Sequence, residues 1–277
     1  MKTSVKTIIK QTFPKSVLRW KTRTARRTDP DLYLLANLKQ YLAELPDAEK
    51  FSGYFAKQHA GIDVGACAGE YSCVMASIFG RVLSIEPTSD MAMLLRRSLP
   101  RNCEVIECAM GDAAAEVRLR VPTKDGRRLQ ALATVANHGF EFSNVGNVDI
   151  SAVRQLTVDQ LVAERQIKPS FIKIDVEGYE GKVLQGASEV IRSFKPLLMI
   201  EIEKRHNPLF REIFSLLSGY GYVPYHFLDQ KLCVSGSEVV EEAFEYLERN
   251  NVASMKAVTA SNVTQQYIND FVFVPHI

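Results

Sequence analysis

The run Gly61-Ile62-Asp63-Val64-Gly65-Ala66-Cys67-Ala68-Gly69-Glu70-Tyr71 restricts this chain more than any other. A short apolar stretch carrying an acid leads at once into Gly65, three small residues, Gly69 and then a helical pattern. That order predicts a buried strand, a tight turn and a helix N-terminus, where α/β folds hold nucleotide-like cofactors. Gly65 lets the backbone come close to a ligand, and Gly69 lets the start of the helix pack closely. The spacing is Asp-x-Gly-x-x-x-Gly, which differs from the Gly-x-Gly-x-x-Gly of dinucleotide-binding turns. A pyrophosphate wants several free N–H groups. This turn, led by an acid, suits a cofactor with an amine and no phosphate, and S-adenosylmethionine is such a molecule. The plainer alternative is a glycine-containing strand-to-helix turn that holds no ligand.

The pattern beyond the turn alternates. Strands are predicted to end at Asp63 and to run over 81–85, 103–108, 171–175 and 197–203. Helices are predicted over 70–79, 89–98, 158–165, 180–194 and 209–218. Alternation of this kind implies an α/β fold with a mostly parallel sheet and helices on both faces. Residues 112–155 break the rhythm. Val117, Leu119 and Val121 alternate with polar residues, Lys124-Asp125-Gly126-Arg127 is a hairpin turn, and 129–135 and 148–153 supply further strands. This reads as a β-rich insertion near the active-site edge. An antiparallel portion over 222–228 and 271–274 closes the fold. Leu32, Leu34, Leu35, Leu38 and Leu42 recur near helical spacing over 31–45, and a second short helix is expected over 48–58. The simplest division is a basic helical N-terminal extension, residues 1–50, followed by one catalytic domain, residues 51–277.

Charge matters mainly at the start. Nine basic residues fall between Lys2 and Arg27, with apolar Val5, Ile8, Ile9, Phe13 and Trp20 among them and no acid before Asp29. Residues 1–28 therefore suit peripheral contact with an anionic membrane, and a solvated helix fits the same composition. The net charge of +2 over 277 residues gives no global nucleic-acid signature. Five cysteines without metal-ligand spacing (Cys67, Cys73, Cys103, Cys108, Cys233) read as reduced thiols of a cytoplasmic protein, peripheral at the inner membrane face if the arm docks.

Three groups of candidate residues fall at the ends of consecutive predicted strands, where open α/β sheets bind ligands. Glu86-Pro87 ends the second, where a carboxylate can accept from both ribose hydroxyls. Met110-Gly111-Asp112 ends the third, with Met110 beside an adenine ring and Asp112 accepting from its amino group. Asp175, Glu177 and Glu180 follow the fourth, where two acids at a strand mouth carry a desolvation cost that a plain loop avoids. Glu177 is equally suited to capping the next helix or pairing with Lys173.

Taken together these stretches resemble the FkbM family of S-adenosylmethionine-dependent methyltransferases. The resemblance rests on Asp-Val-Gly-Ala-x-x-Gly, Glu-Pro, Gly-Asp, Leu156-Thr157-Val158-Asp159, the string Lys173-Ile174-Asp175-Val176-Glu177-Gly178-Tyr179-Glu180, and Pro-x-x-x-x-Glu-Ile. It spans residues 61–203, with a terminal match at 270–275. It implies a class I Rossmann-like fold whose seven-stranded sheet has an antiparallel last strand. The implied activity is methyl transfer, usually to an oxygen of a sugar, glycan, glycolipid or secondary metabolite. It also implies that Asp63, Gly65, Ala66, Gly69 and Tyr71 hold the methionine end of the cofactor. Glu86 and Pro87 would take the ribose, Met110, Gly111 and Asp112 the adenine end, and Asp175 would stand beside the transferring methyl. Asp175, Glu177 and His206 are the candidate bases. A divalent cation on Asp175, Glu201 and Glu203 is conceivable, but no dedicated cage is visible and none is expected. Transfer to nitrogen or carbon, a nicotinamide oxidoreductase and a catalytically silent binding module are the competing readings.

Overall fold

The structure is a computed structural model, which describes residues 30–45, 48–51, 53–136, 147–203, 207, 209–228, 231–236 and 270–276. Its centre is a run of short strands made of β-branched and other apolar residues: β1 (Ala60–Val64), β2 (Arg81–Ile85), β8 (Pro169–Ile174) and β9 (Leu197–Glu201). Strand β3 (Cys103–Ile106) lies at one edge, and β10 (Tyr222–Leu228), β11 (Lys231–Val234) and β12 (Asp270–Pro275) lie at the other. Among the described residues the sheet order is β3-β2-β1-β8-β9-β12-β10-β11. Strands β1, β2, β3, β8 and β9 are mutually parallel, whereas β12 is antiparallel to both β9 and β10. This is the class I methyltransferase order with its reversed strand, and β11 adds an eighth strand to the seven expected.

Side chains alternate between the faces, as the two-residue period of a strand requires. Leu83, Ile172, Leu198, Ile200, Phe271 and Phe273 pack beneath α4 (Val158–Arg165), α5 (Glu180–Gln185), α6 (Ser188–Phe194) and α7 (Phe210–Gly219). Val82, Phe171, Leu197, Met199, Val272 and Val274 pack on the opposite face. That face is covered by α1 (Pro30–Leu42) and α2 (Glu70–Ile78), while α3 (Ser89–Ser98) packs Leu95 against Ala66 and Cys73. Leu32, Leu34, Leu35 and Leu38 of α1 are fully buried with Val74, Met75 and Phe79. Each such leucine stabilises by about 1.5–3 kcal/mol relative to exposure. Residues 30–42 of the expected extension thus pack on the sheet, and residues 1–29 lie outside the described residues.

Several expected elements are shorter than their patterns suggest. The stretch 180–194 is two helices because Gly186 interrupts it. A Cβ there would overlap the Gly111 carbonyl oxygen, and the Asp159 carboxylate caps α6 by accepting from the Glu189 and Val190 N–H groups at 3.1 and 2.9 Å. The expected helix over 48–58 is a single 3-10 turn, Ala48–Phe51. Strand β3 stops at Ile106 because Ala109–Met110 (β4) pairs instead with a second sheet.

That second sheet is the expected β-rich insertion, in the order β4-β7-β5-β6. Strands β5 (Ala115–Lys124) and β7 (Asn147–Leu156) pair over nine antiparallel positions. The turn Asp125-Gly126 has φ of 50° and 71°, the positive pair a type I′ hairpin needs. The return strand β6 is only Arg127–Arg128, followed by the 3-10 turn Gln130–Leu132 and a bridge from Thr134 to Arg120. Thr134 ties this sheet to the main one, its hydroxyl donating to the Glu177 carbonyl at 2.8 Å.

Candidate functional site

The carboxyl ends of β1, β2 and β8 open into a cavity of about 340 Å³, a volume at the lower end of known ligand pockets (~300–1,000 Å³). The turn after β1 forms its floor. Gly65 has φ +85°, and a Cβ there would overlap the Asp175 carbonyl oxygen, so the glycine is required by the neighbouring chain. Gly69 has φ +82°, and a Cβ there would meet Leu95 at 2.6 Å, which accounts for a glycine where α2 packs on α3. Four N–H groups of this turn bond within the protein. Gly65 and Ala66 donate to the Ile85 carbonyl at 3.0 and 2.9 Å, Cys67 donates to Glu86 Oε2 at 3.0 Å, and Gly69 donates to Ala66 at 2.7 Å.

Glu86 is the fixed acid of the cavity. Its Oε1 accepts from the Thr88 N–H and hydroxyl at 2.9 and 2.6 Å, while Oε2 holds Cys67. Burial pushes this carboxyl up, and the bonds from Thr88 and Cys67 oppose the shift. Oε2, with one bond accepted, retains accepting capacity toward a ribose hydroxyl. Cys67, held at φ 41°, has its thiol pushed up to about 12 by burial, then by Glu86 and Asp175, so it is no nucleophile at neutral pH. Cys108, Ala109 and Met110 form an apolar wall, and Leu119, Gln130 and Ala133 of the second sheet form the opposite one.

A row of charges crosses the main sheet beneath this cavity. Asp63 of β1 is the cross-strand partner of Lys173 of β8, and Asp270 of β12 is the partner of Glu201 of β9. These side chains share the face that packs against α2, because strand side chains repeat every second residue. Lys173 is 1 % exposed. It donates to Asp175 Oδ2 at 2.8 Å, and its ammonium sits 4.2 Å from the centre of the Tyr71 ring. Burial alone would lower Lys173, but Asp175, Asp270, Asp63 and Glu201 outweigh it and hold the ammonium well above its usual range. Glu201 is pushed well up by burial and then by Asp175 and Asp270, so one cation does not keep the whole row ionised.

The residues singled out from sequence divide accordingly. Gly65, Ala66, Gly69, Tyr71, Glu86, Pro87, Met110, Asp175 and Glu177 line the cavity. Asp63 faces α2 instead. Its Oδ2 accepts from Ser72 at 2.5 Å, its Oδ1 accepts nothing, and burial pushes it up. Asp112 lies outside the cavity wall, in an ion pair with Lys182 at 2.7 Å, and Gly111 packs on the Gln155 side chain. Lys173 donates to Asp175, and the next helix has no side-chain cap; Glu180 instead turns back on the loop before it. Glu180 Oε1 accepts from the Val176 and Gly178 N–H groups at 3.3 and 3.0 Å, and its Oε2 accepts from Asn207 at 3.0 Å. His206 lies outside the described residues. Among the described residues no group of three or more His, Cys, Asp or Glu is placed to hold a metal ion. Sequence reasoning missed Lys173 as the hub. Its signal was a lone lysine in the apolar strand Phe171-Ile172-Lys173-Ile174, two residues from an acid and therefore on the same face.

The model of the methyltransferase FkbM domain matches residues 63–224, more than half of the chain. No curated protein sequence matches significantly. Among solved structures, an FkbM methyltransferase from Methylobacillus flagellatus KT is 19% identical over 75% of this chain, with TM-score 0.45. The chain spans 50% of that protein's length. A methyltransferase from Geobacter sulfurreducens in complex with S-adenosyl-L-homocysteine is 13% identical, covering 87% of this chain and 90% of its own, with TM-score 0.36. One from Aquifex aeolicus is 17% identical, covering 80% and 96%, with TM-score 0.33.

Proposed function

Because the chain belongs to the FkbM methyltransferase domain family, we propose that it transfers a methyl group from S-adenosylmethionine to a hydroxyl of a sugar, glycan, glycolipid or secondary metabolite. The carrying observation is the charge of the cavity. Four N–H groups of its turn are bonded within the protein, while Glu86, Asp175 and Glu177 face it. Such a lining favours a ligand with a sulfonium, an ammonium and a ribose diol, and it repels a pyrophosphate. When bound, S-adenosylmethionine would supply an electrophilic methyl carbon. Glu86 is placed for the ribose, Met110 and Cys108 for the adenine, and Asp175 and Glu201 for the positive end. Asp112, turned away to Lys182, is not assigned to the adenine in this reading.

The methyl would pass from the sulfonium to the acceptor oxygen, whose proton would go to a base at the cavity mouth. Alignment of the reacting atoms can supply roughly 7–11 kcal/mol. Proton removal adds about 10²–10⁴-fold. Asp175 and Glu177 are carboxylates of the cavity lining placed to take that proton. The basic residues 1–28 would hold the enzyme at an anionic membrane surface at the inner face, which vesicle flotation with and without that segment checks. Among the described residues no helix is long and apolar enough to cross a membrane.

Calorimetric titration with S-adenosylhomocysteine and, separately, NADH tests the cofactor. Binding of the first alone, weakened by Glu86→Ala, is the expected result. Binding of NADH, or of neither by folded protein, would overturn the proposal.

A further inference from the structure

The cofactor cavity has walls from two sheets. The second sheet contributes Leu119, Ala133 and Val135, and the loop after β8 contributes Val176, Glu177 and Tyr179. These walls are far apart in the chain, and Thr134 joins them. Its side chain is 1 % exposed. Its N–H donates to the Arg120 carbonyl at 2.9 Å and its carbonyl accepts from the Arg120 N–H at 2.8 Å, which fixes it to β5. Its hydroxyl accepts from the Ala136 N–H at 3.0 Å and donates across to the Glu177 carbonyl at 2.8 Å. Every polar group of Thr134 is thus engaged, one of them on the other wall.

The carbonyl it holds belongs to a residue in an unfavourable conformation. Glu177 has φ 53°, in the left-handed region that side chains other than glycine avoid, and Gly178 follows at φ 93°. Such backbone persists where its surroundings over-determine it, and it clusters at ligand clamps. Here the surroundings are Thr134 on Glu177, the Glu180 carboxylate on the Val176 and Gly178 N–H groups, and Lys173 on Asp175. The bond also stands at a boundary. A second cavity, about 1270 Å³, is bounded by β5, the start of α5 and α7. Val135 and Tyr179 line both cavities, one directly after Thr134 and the other two residues after Glu177.

Building on the methyltransferase reading, we propose that Thr134 is a positioning residue of the cofactor site, its hydroxyl latching the second sheet onto the loop after β8 so that the bound cofactor stays enclosed. Thr134 is not itself in the lining, whereas Ala133 and Val135 on either side of it are. It therefore acts through its neighbours and through the Glu177 backbone. An enclosing contact slows escape more than it speeds entry, so its loss belongs in the dissociation rate.

The test measures association and dissociation of S-adenosylhomocysteine on the full chain by surface plasmon resonance. Thr134→Val keeps the branched shape and removes the hydroxyl. It should speed dissociation about tenfold, the size of one hydrogen bond, with association little changed. Thr134→Ser, which keeps the donor, should restore slow dissociation. Thr134→Ala removes the same hydroxyl with no branched side chain to place, and it carries the same expectation should the valine variant not fold. Gly126→Ala, in the same sheet but away from the cavity wall, should leave both rates as they are. Urea melts of each variant read stability separately. A loss of stability in Thr134→Val with both rates unchanged would make Thr134 a structural residue only and overturn the latch. Equally fast dissociation in the serine and valine variants would overturn it too, by assigning the effect to packing of the methyl group. Failure of folded wild type to bind S-adenosylhomocysteine would instead overturn the methyltransferase reading, and the latch with it.

Discussion

The two cavities meet at Tyr179 and Val135 but are made in opposite ways. The smaller is lined by carboxylates at and beyond the ends of interior strands, of which Glu86 is fixed by Thr88 and Cys67 and Asp175 by the buried Lys173. The larger is lined by arginines on an outer strand and a surface helix. Carboxylates taken out of water are held only where the fold supplies donors and a counter-ion, so their positions are rigid. Exposed cations are screened and adjustable, and they convey charge more than place. A site that must align a sulfonium with an oxygen needs the first kind of construction. A surface that captures a substrate can use the second.

If the inner site is locked by packing, its largest weakness is Gly65. Gly65→Ala must displace the Asp175 carbonyl while adopting a positive φ, so a loss of about 4–5 kcal/mol or failure to fold is expected. Chemical denaturation measures it, and a loss below 1 kcal/mol would show that the turn yields. Lys173→Met comes next. It leaves Asp63, Asp175, Glu201 and Asp270 without their shared cation, and breaking a buried pair in this way costs about 3–5 kcal/mol. The loss should shrink as pH falls, because protonated carboxyls no longer need the ammonium. A loss independent of pH would mean that Lys173 acts by packing on Tyr71.

The same contrast explains what was legible beforehand. The interior strands were visible because apolar runs ended in Asp63, Glu86 and Asp175, and the outer hairpin because Asp125-Gly126 has turn chemistry. Acids placed at strand ends also drew attention to Glu86 and Asp175, which the fold brings to one cavity. The row from Asp63 to Asp270 was hidden. It exists only once β1, β8, β9 and β12 are in register, and no local pattern encodes a pairing between positions so distant in the chain. The role of Glu180 was hidden for a related reason. Whether Glu177 or Glu180 turns back on the loop depends on φ 53° at Glu177 and on Asn207, which reaches Glu180 from beyond β9. The arginines of β5 looked like the solvent face of an alternating strand, and only the placement of α7 makes that face a groove wall.

Glu180 sharpens the comparison through pH. Burial raises its carboxyl from 4.5 to about 7. Between those values the folded protein holds a proton that the unfolded chain has released, so this group's stabilising contribution is present below about 4.5 and is lost as pH rises through 7. Glu180→Gln removes that dependence. Relative to its own value at pH 4.5, the variant should gain on the wild type by about 2–3 kcal/mol at pH 8. The amide oxygen can still accept from Val176 and Gly178, but the NH2 cannot accept from Asn207, and that loss adds an offset constant with pH. Difference curves from urea melts across pH 4.5–8 isolate the effect, and parallel curves would show that Glu180 is hydrated in the folded state.

The smallest effect belongs to the outer hairpin. Gly126 has a positive φ like Gly65, at +71°, but a Cβ there would meet nothing within 4 Å. Gly126→Ala therefore carries only the intrinsic penalty of an L-residue in the left-handed region, about 1–2 kcal/mol. Reduced freedom of the unfolded chain offsets roughly 0.4–1 kcal/mol of it. The net loss should be about 1 kcal/mol or less, with affinity for S-adenosylhomocysteine unchanged. Since Gly65 and Gly126 share the backbone requirement, the difference between their two alanine variants measures what the Asp175 carbonyl contributes to fixing the inner turn. Equal losses would mean that φ alone sets both, and the inner site would then be no more tightly determined by packing than the exposed hairpin.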